Sequence, residues 1–225
     1  CGYGYLFDRL VQLPNVTQVV VAHPGHLRLI FRSKRKNDRI DARKLALLLL
    51  LNQVPAVHVP DLSVRAWRAA IEFRRRLVDK QTMCKNELRA LLRAHGVVAP
   101  HRNALWTRRG LAWLTTLELP TTLAGLQRDF LLDELAKLRQ QLRRLEDELN
   151  RIAQRHPGVA LLRTIPGVGP RTAEAVVAYL DEVKRFQRTK QVGSYFGLVP
   201  CQDQSAGPSR FGHLTRQGPA TVRKL

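Results

Sequence analysis

Acidic residues are scarce in this sequence. Its 225 residues carry 18 Asp and Glu against 38 Lys and Arg, a formal charge of +20. That imbalance points to a polyanionic partner, nucleic acid first and an anionic membrane surface second. Cysteine is scarce as well. Cys1, Cys84 and Cys201 lie far apart and form no CxxC pair, which excludes a disulfide framework or a zinc ribbon and suits a reducing compartment. With no partner in the sequence to activate it, Cys201 is read as a packed thiol. Long apolar runs are missing too. The longest, LALLLLL at 45–51, is too short to span a bilayer and reads as a buried helix. No signal-peptide pattern is visible in these residues. Aromatic residues make up only 6%, and Trp67, Trp106 and Trp113 are read as helix-packing residues before base-stacking ones. Hydrophobic residues make up 44%, ordinary for a globular chain of one large domain or two small ones.

What acid there is falls in an unexpected place. NDRIDARKLA, 37–46, sets Asp38 and Asp41 three residues apart, behind the basic run FRSKRK. Three residues is almost one helical turn, so both carboxylates share a face and repel. A cation is expected between them, an arginine or a metal ion. Asn37 reads as the N-cap of their helix. Before it, residues 1–13 read as an amphipathic helix, TQVVVAHP at 17–24 as a buried strand, and RLIFRSKRK as a basic loop or short strand. After it, the proline-bounded VPAVHVP at 54–60 reads as an edge strand. Helix, strand, helix, strand suggests an α/β layer. The chain starts at Cys1 and stops in ATVRKL, within an expected helix, so both ends are expected to be cut.

From Ser63 the pattern becomes helical. Residues 63–95 read as one basic helix ending at a Gly96 C-cap, with Arg74, Arg75, Arg76, Lys80 and Lys85 around it as candidate phosphate contacts. Leu131, Leu135, Leu138, Leu142, Leu145, Leu149 and Ile152 keep 4,3 spacing, a heptad seam that predicts coiled-coil pairing within the chain or between chains. TIPGVGPRTAEAVVAYL then reads as a helix-hairpin-helix. Gly167 and Gly169 allow the tight turn and let the second helix's first N–H groups reach a phosphate, with Arg171 beside them. Such contacts ignore base identity. Lys184, Arg185, Arg188 and Lys190 follow as further phosphate candidates. Lys34, Arg35 and Lys36 either bind nucleic acid or balance the two aspartates.

These pieces stand in a distinctive order: NDRIDARKLA, the basic helix with its heptad seam, the hairpin, then GLVP, QSAG, GHLTRQG and VRKL. The order resembles the DEDD transposases of bacterial insertion sequences, which include the pilin-gene invertases and the bridge-RNA-guided recombinases. The resemblance implies the end of a RuvC-like (RNase H-type) α/β domain over 1–62 and a coiled-coil helical region over 63–155. It implies an incomplete helix-hairpin-helix transposase domain over 156–225. It also implies four acids that bind divalent metal, Mg²⁺. Asp38 and Asp41 match the third and fourth, and CGYGY matches the motif after the second, so the first two are expected upstream of Cys1. The catalytic serine it implies falls on Ser205, in Ser-Ala-Gly where the family has Ser-Gly, with Ser209 as a competitor. Arg210, His213 and Arg216 follow closely enough to steady a phosphorane. The expected partners are insertion-sequence ends and target DNA, a guide RNA, and further copies of the chain through the coiled coil. A bacterial cytoplasmic, nucleoid-associated location is expected, without membrane. The implied function is DNA cleavage and rejoining, in a fragment lacking two of four acids. The alternative is a non-catalytic DNA- or RNA-binding remnant.

Overall fold

The computed structural model describes residues 3–30, 37–100, 104–203 and 210–224. They fall into two compact units, Cys1–Asp61 and Leu62–Leu225. Helix predominates in both.

The first unit holds α1 (Tyr3–Val11), α2 (Pro24–Ile30) and α3 (Asp38–Leu50). The two expected strands shrink to one antiparallel bridge between Ala22 and Ala56. Val57 N–H donates to Val21 O (2.8 Å) and His23 N–H to Pro55 O (3.0 Å). A bridge between two short segments makes a marginal ribbon, and the β-branched run stays half-buried. The start of RLIFRSKRK, expected as loop or strand, is helical instead. Pro24 opens α2, where its missing N–H matters least, and His23 Nδ1 accepts from His26 N–H (3.3 Å). Residues 31–36, including Lys34, Arg35 and Lys36, lie outside the described residues. In α3, Asn37 Oδ1 accepts from Arg39 N–H at 2.9 Å, the expected N-cap. The leucine run is not the buried helix expected. Leu48 is buried, but Leu47, Leu49, Leu50 and Leu51 are exposed. Consecutive leucines point all round a helix, so one neighbouring surface covers only one stripe of them.

The second unit is built on two long helices. α4 (Leu62–Ala94) ends as expected at Gly96, whose φ is 67°. Val97 N–H reaches Leu92 O (2.9 Å) and Gly96 N–H reaches Arg93 O (3.1 Å), a Schellman closure. A short 3-10 turn at Ala104–Trp106 and α5 (Arg108–Thr116) lead to α6 (Thr122–Arg155). α6 runs antiparallel to α4. Leu131, Leu135, Leu138 and Leu142 of the heptad seam bury against Leu77, Cys84 and Leu88. The seam is therefore filled from within the chain. Each buried leucine contributes about 2–3 kcal/mol relative to an exposed one. The Cys84 thiol donates to Leu131 O (3.1 Å), and burial pushes its pKa up, so it is a packed, protonated thiol.

Where the N-terminal end of α4 meets the C-terminal end of α6, α7 (Pro157–Leu162) and α8 (Pro170–Leu180) dock. Ala173 and Ala178 let α8 approach Trp67, Ile71, Leu149 and Ala153 closely. α9 (Thr189–Tyr195), a hairpin of β1 (Pro200–Asp203) and β2 (Arg210–Leu214), and α10 (Ala220–Arg223) complete the unit. Gln202 pairs with Phe211 and Pro200 with Leu214. Residues 204–209 join the two strands.

Candidate nucleic-acid and catalytic site

The α7–α8 hairpin turns at Ile165-Pro166-Gly167-Val168. Val168 N–H donates to Ile165 O (3.1 Å), and Gly167 has φ 85°. Proline second and a left-handed glycine third make a type II turn. Gly169 is the N-cap of α8, without a side-chain cap, and Pro170 follows at the first helical position. A Cβ at Gly167 or Gly169 would meet nothing within 4 Å, so this backbone faces open space. The first N–H groups of α8 are left without a side-chain acceptor, an arrangement that suits an anion.

Arg171 does not join them. Its Nη1 lies 2.6 Å from Glu174 Oε2, and its Nη2 donates to Asn150 Oδ1. Glu174 is 1% exposed and also accepts from Trp67 Nε1 (3.0 Å). Burial pushes the Glu174 pKa up, against the pull of Trp67 and Arg171. Arg171 is thus the counter-ion of a buried carboxylate. The basic face of α4 divides in the same way. Arg74 is held by Glu146 (2.6 Å), and Arg75 by Glu72 and Asp79 (3.3 Å each). Arg76 lies over Phe73 and is exposed, as is Lys80. Arg185 is sandwiched between Phe186 (4.3 Å) and Tyr195 (4.5 Å), while Lys184 and Lys190 project into solvent. Arg216 is exposed, with φ 51°. The Arg210 side chain is outside the described residues, as is Ser205.

The motif residues around Ser205 build a brace. Gly197 of GLVP and Gly218 of TRQG both have positive φ, 67° and 78°. A Cβ on Gly197 would meet Gln217 O at 2.1 Å, and one on Gly218 would meet Tyr195 O at 2.0 Å. Two chain segments pass there with no room for a side chain. Thr215 N–H donates to Val199 O (2.9 Å). Arg223 Nη1 donates to Phe196 O, Gln217 O and Gly218 O (3.0, 2.7 and 3.1 Å). Cys201, expected to be packed, is exposed on β1. Alternation along a two-stranded ribbon leaves one face in water.

Glu72 ties the brace to α4. It accepts from Tyr179 Oη (2.8 Å) and from the buried Thr221 Oγ1. Tyr195 Oη donates to Tyr179 O (3.1 Å), and Arg68 caps α8 through Ala178 O and Tyr179 O (2.7 and 3.2 Å). Burial, then the bond to Glu72, pushes the Tyr179 pKa up to about 12 from 10.0. The folded state therefore favours the neutral phenol. Its contribution is full below pH 10 and disappears as pH rises through about 12. Tyr179→Phe is expected to cost about 1.5–3 kcal/mol at neutral pH, the value of a hydrogen bond to a charged acceptor. It should also flatten the loss of stability between pH 10 and 12, read by urea unfolding across that range.

Asp38 and Asp41 occupy the first turn of α3, Asp38 exposed and Asp41 half-buried. Asp41 N–H donates to Asn37 O (3.0 Å). The helix N-terminus stabilises both carboxylates. Among the described residues, no group of three His, Cys, Asp or Glu side chains gathers there or elsewhere. No helix among them is long and apolar enough to cross a membrane.

Comparison with known proteins matches the same two regions. The family model "Transposase IS116/IS110/IS902 family" matches residues 159–225, and a DEDD-type IS110 "Transposase" model matches 3–96. A Pseudomonas aeruginosa protein described as "Probable family 20 transposase" is 29% identical over 193 residues, 84% of this chain and 57% of its own length. The "Transposase for insertion sequence element IS1111A" of Coxiella burnetii is 28% identical over 226 residues, covering 100% of this chain and 61% of its own length. That for IS1328 of Yersinia enterocolitica is 28% identical over 232 residues, covering 100% and 66%. The chain thus spans 57–66% of the length of these relatives. With the GLVP–TRQG–VRKL brace and the DRIDARKLA helix inside the matched segments, the chain belongs to the IS116/IS110/IS902 family of transposases.

Proposed function

We propose that this chain acts in insertion-sequence movement, cutting and rejoining DNA with Ser205 as nucleophile and Asp38 and Asp41 as metal-holding acids. The observation that carries the reading is the brace. Family-matched glycines and Arg223 lock together segments 195–199 and 215–218 at the base of the β1–β2 hairpin, whose connection carries Ser205. Asp38 and Asp41 suit two oxygen positions of a hard divalent cation, Mg²⁺ by preference. Water, DNA phosphate or protein outside these residues would supply the rest. When bound, the ion would supply positive charge against a nucleic-acid phosphate. The Ser205 hydroxyl attacks phosphorus and an Oγ–P bond forms. The ester bond to one strand breaks, and the serine proton ends on the departing oxygen. The phosphoserine link keeps the bond energy for rejoining.

The open glycine turn of α7–α8, with Lys184 and Lys190, supports backbone phosphate contact in helix-hairpin-helix fashion. The two-acid helix fits the end of a RuvC-like domain. The family setting favours insertion-sequence ends as the DNA, a guide RNA as a further partner, and assembly into more than one copy. Since α4 fills the heptad seam, assembly uses other faces than the buried one. The test is incubation of the chain with labelled insertion-end DNA, cognate RNA and Mg²⁺. A denaturing gel should then show cut DNA and a protein-linked band, both lost with chelator. DNA bound under every condition but never cut would leave the non-catalytic binding role in its place.

A further inference from the structure

Lys85 and Arg89 stand one turn apart on α4, and both cover the same indole. Lys85 Nζ lies 5.7 Å and Arg89 Cζ 5.1 Å from the Trp106 ring centroid. From α6, Arg139 Nη2 donates to Trp106 O (3.1 Å). Three cations from two helices thus converge on one tryptophan, and all four side chains are half-buried. Neutral amides stand beside the two α4 cations: Gln81 Oε1 accepts from Lys85 Nζ (3.3 Å) and Asn86 Oδ1 from Arg89 Nη1 (3.4 Å). Glu87 and Glu134 bear on the adjacent Cys84. Burial, and then the charges of Arg139 and Arg89, hold the Lys85 pKa down. Two residues beyond Trp106, the exposed Arg108 and Arg109 open α5. Like charges held this close repel, and a bound polyanion relieves that repulsion.

We propose that Lys85, Arg89 and Arg139, set on Trp106, form a binding site for nucleic-acid backbone phosphate, apart from the α7–α8 hairpin. A row of phosphates fits cations spread along α4, α6 and the start of α5, and the aromatic seat holds the two α4 heads in fixed positions. The choice of nucleic acid as the polyanion rests on the transposase reading.

The test uses the full chain and fluorescence anisotropy between 50 and 300 mM salt (roughly the range where such slopes are readable). The probes are a labelled duplex DNA, a labelled hairpin RNA and labelled polyglutamate. The parent is compared with Lys85→Gln/Arg89→Gln/Arg139→Gln and with Lys184→Gln/Lys190→Gln. The triple variant should bind duplex or RNA at least about tenfold more weakly. Its slope of log K against log salt should be shallower by about 2.7, at ~0.9 for each of three phosphates no longer neutralised. Its Tm should hold or rise, because repulsion is relieved, whereas a merely structural role lowers it. If the triple variant unfolds, Lys85→Gln alone decides, with a slope shallower by about 1. The larger loss, on DNA or on RNA, identifies the strand type. An unchanged affinity and slope, beside a weakened Lys184/Lys190 variant, overturns this site alone. Loss confined to polyglutamate overturns it in favour of an acidic protein. A parent that binds neither nucleic acid overturns it together with the transposase reading.

Discussion

Ser205→Ala should bind insertion-end DNA within about twofold of the parent yet form no protein-linked DNA, with cleavage slowed on the order of 10⁴-fold or more. Alanine removes the attacking oxygen and almost nothing else. The phosphate contacts proposed for the hairpin lysines and the α8 N-terminus remain, so binding persists while chemistry stops. Ser209→Ala serves as the control and should keep the adduct. The readout is a denaturing gel of end-labelled DNA, paired with anisotropy for affinity. An adduct that survives Ser205→Ala and vanishes with Ser209→Ala would move the nucleophile four residues on. Cutting without adduct in the parent would mean that water attacks the phosphate directly.

Glu174→Ala should destabilise the Leu62–Leu225 unit by about 3–5 kcal/mol, the usual result of removing one member of a buried ion pair. It leaves Arg171, with a side chain only 20% exposed, and the Trp67 N–H without their acceptor. Glu174→Gln keeps a carbonyl for Trp67 and loses only the charge, so its cost should be smaller. The pH dependence separates the two effects. The Glu174 pKa is raised from 4.5 by burial, so the stability tied to its protonated form is full below 4.5 and lost as pH rises through the raised value. Glutamine cannot titrate, and its variant should lack that slope. Urea unfolding from pH 3 to 8 reads both effects (roughly the carboxylate range and above). An alanine variant as stable as the parent would refute the role assigned to this pair.

Long-period features were legible in the sequence. The heptad leucines and the Gly96 stop fix α4 and α6 because helix periodicity and capping are local. The tight turn at Gly167 was legible for the same reason, and its type II form came from the structure. What depended on distant partners was not. Arg74 reads as a free cation, but its partner Glu146 sits 72 residues away, and Asn150 sits 21 from Arg171. The acids that hold Arg75 (Glu72 and Asp79) and Arg171 (Glu174) lie only three or four residues off, so those pairs were within reach of helix spacing. The TQVVVAHP run reads as a strand by composition, yet a strand exists only with neighbours to pair with. Gly197 and Gly218 are ordinary loop glycines in sequence. Only the crossing of two backbones explains why no larger residue fits there. Lys85 was read as a candidate phosphate contact, but its grouping with Arg89 and Arg139 was hidden because their common platform, Trp106, comes from a separate turn. Asp38 and Asp41 were legible as a pair, and Asn37 as the cap of their helix. Ser205 is identified through the motif alone.

The position of Glu72 sets an order of assembly during synthesis. When the ribosome has made this carboxylate, Tyr179 is 107 residues away and Thr221 is 149. At about 5–20 residues per second, Glu72 waits roughly 7–30 s for Thr221. α4 and α6 need only each other and can zip together during that wait. The nascent chain therefore carries a finished helical hairpin while its serine-bearing segment is still unlatched. A protease that trims slow or damaged chains would find its opening there first.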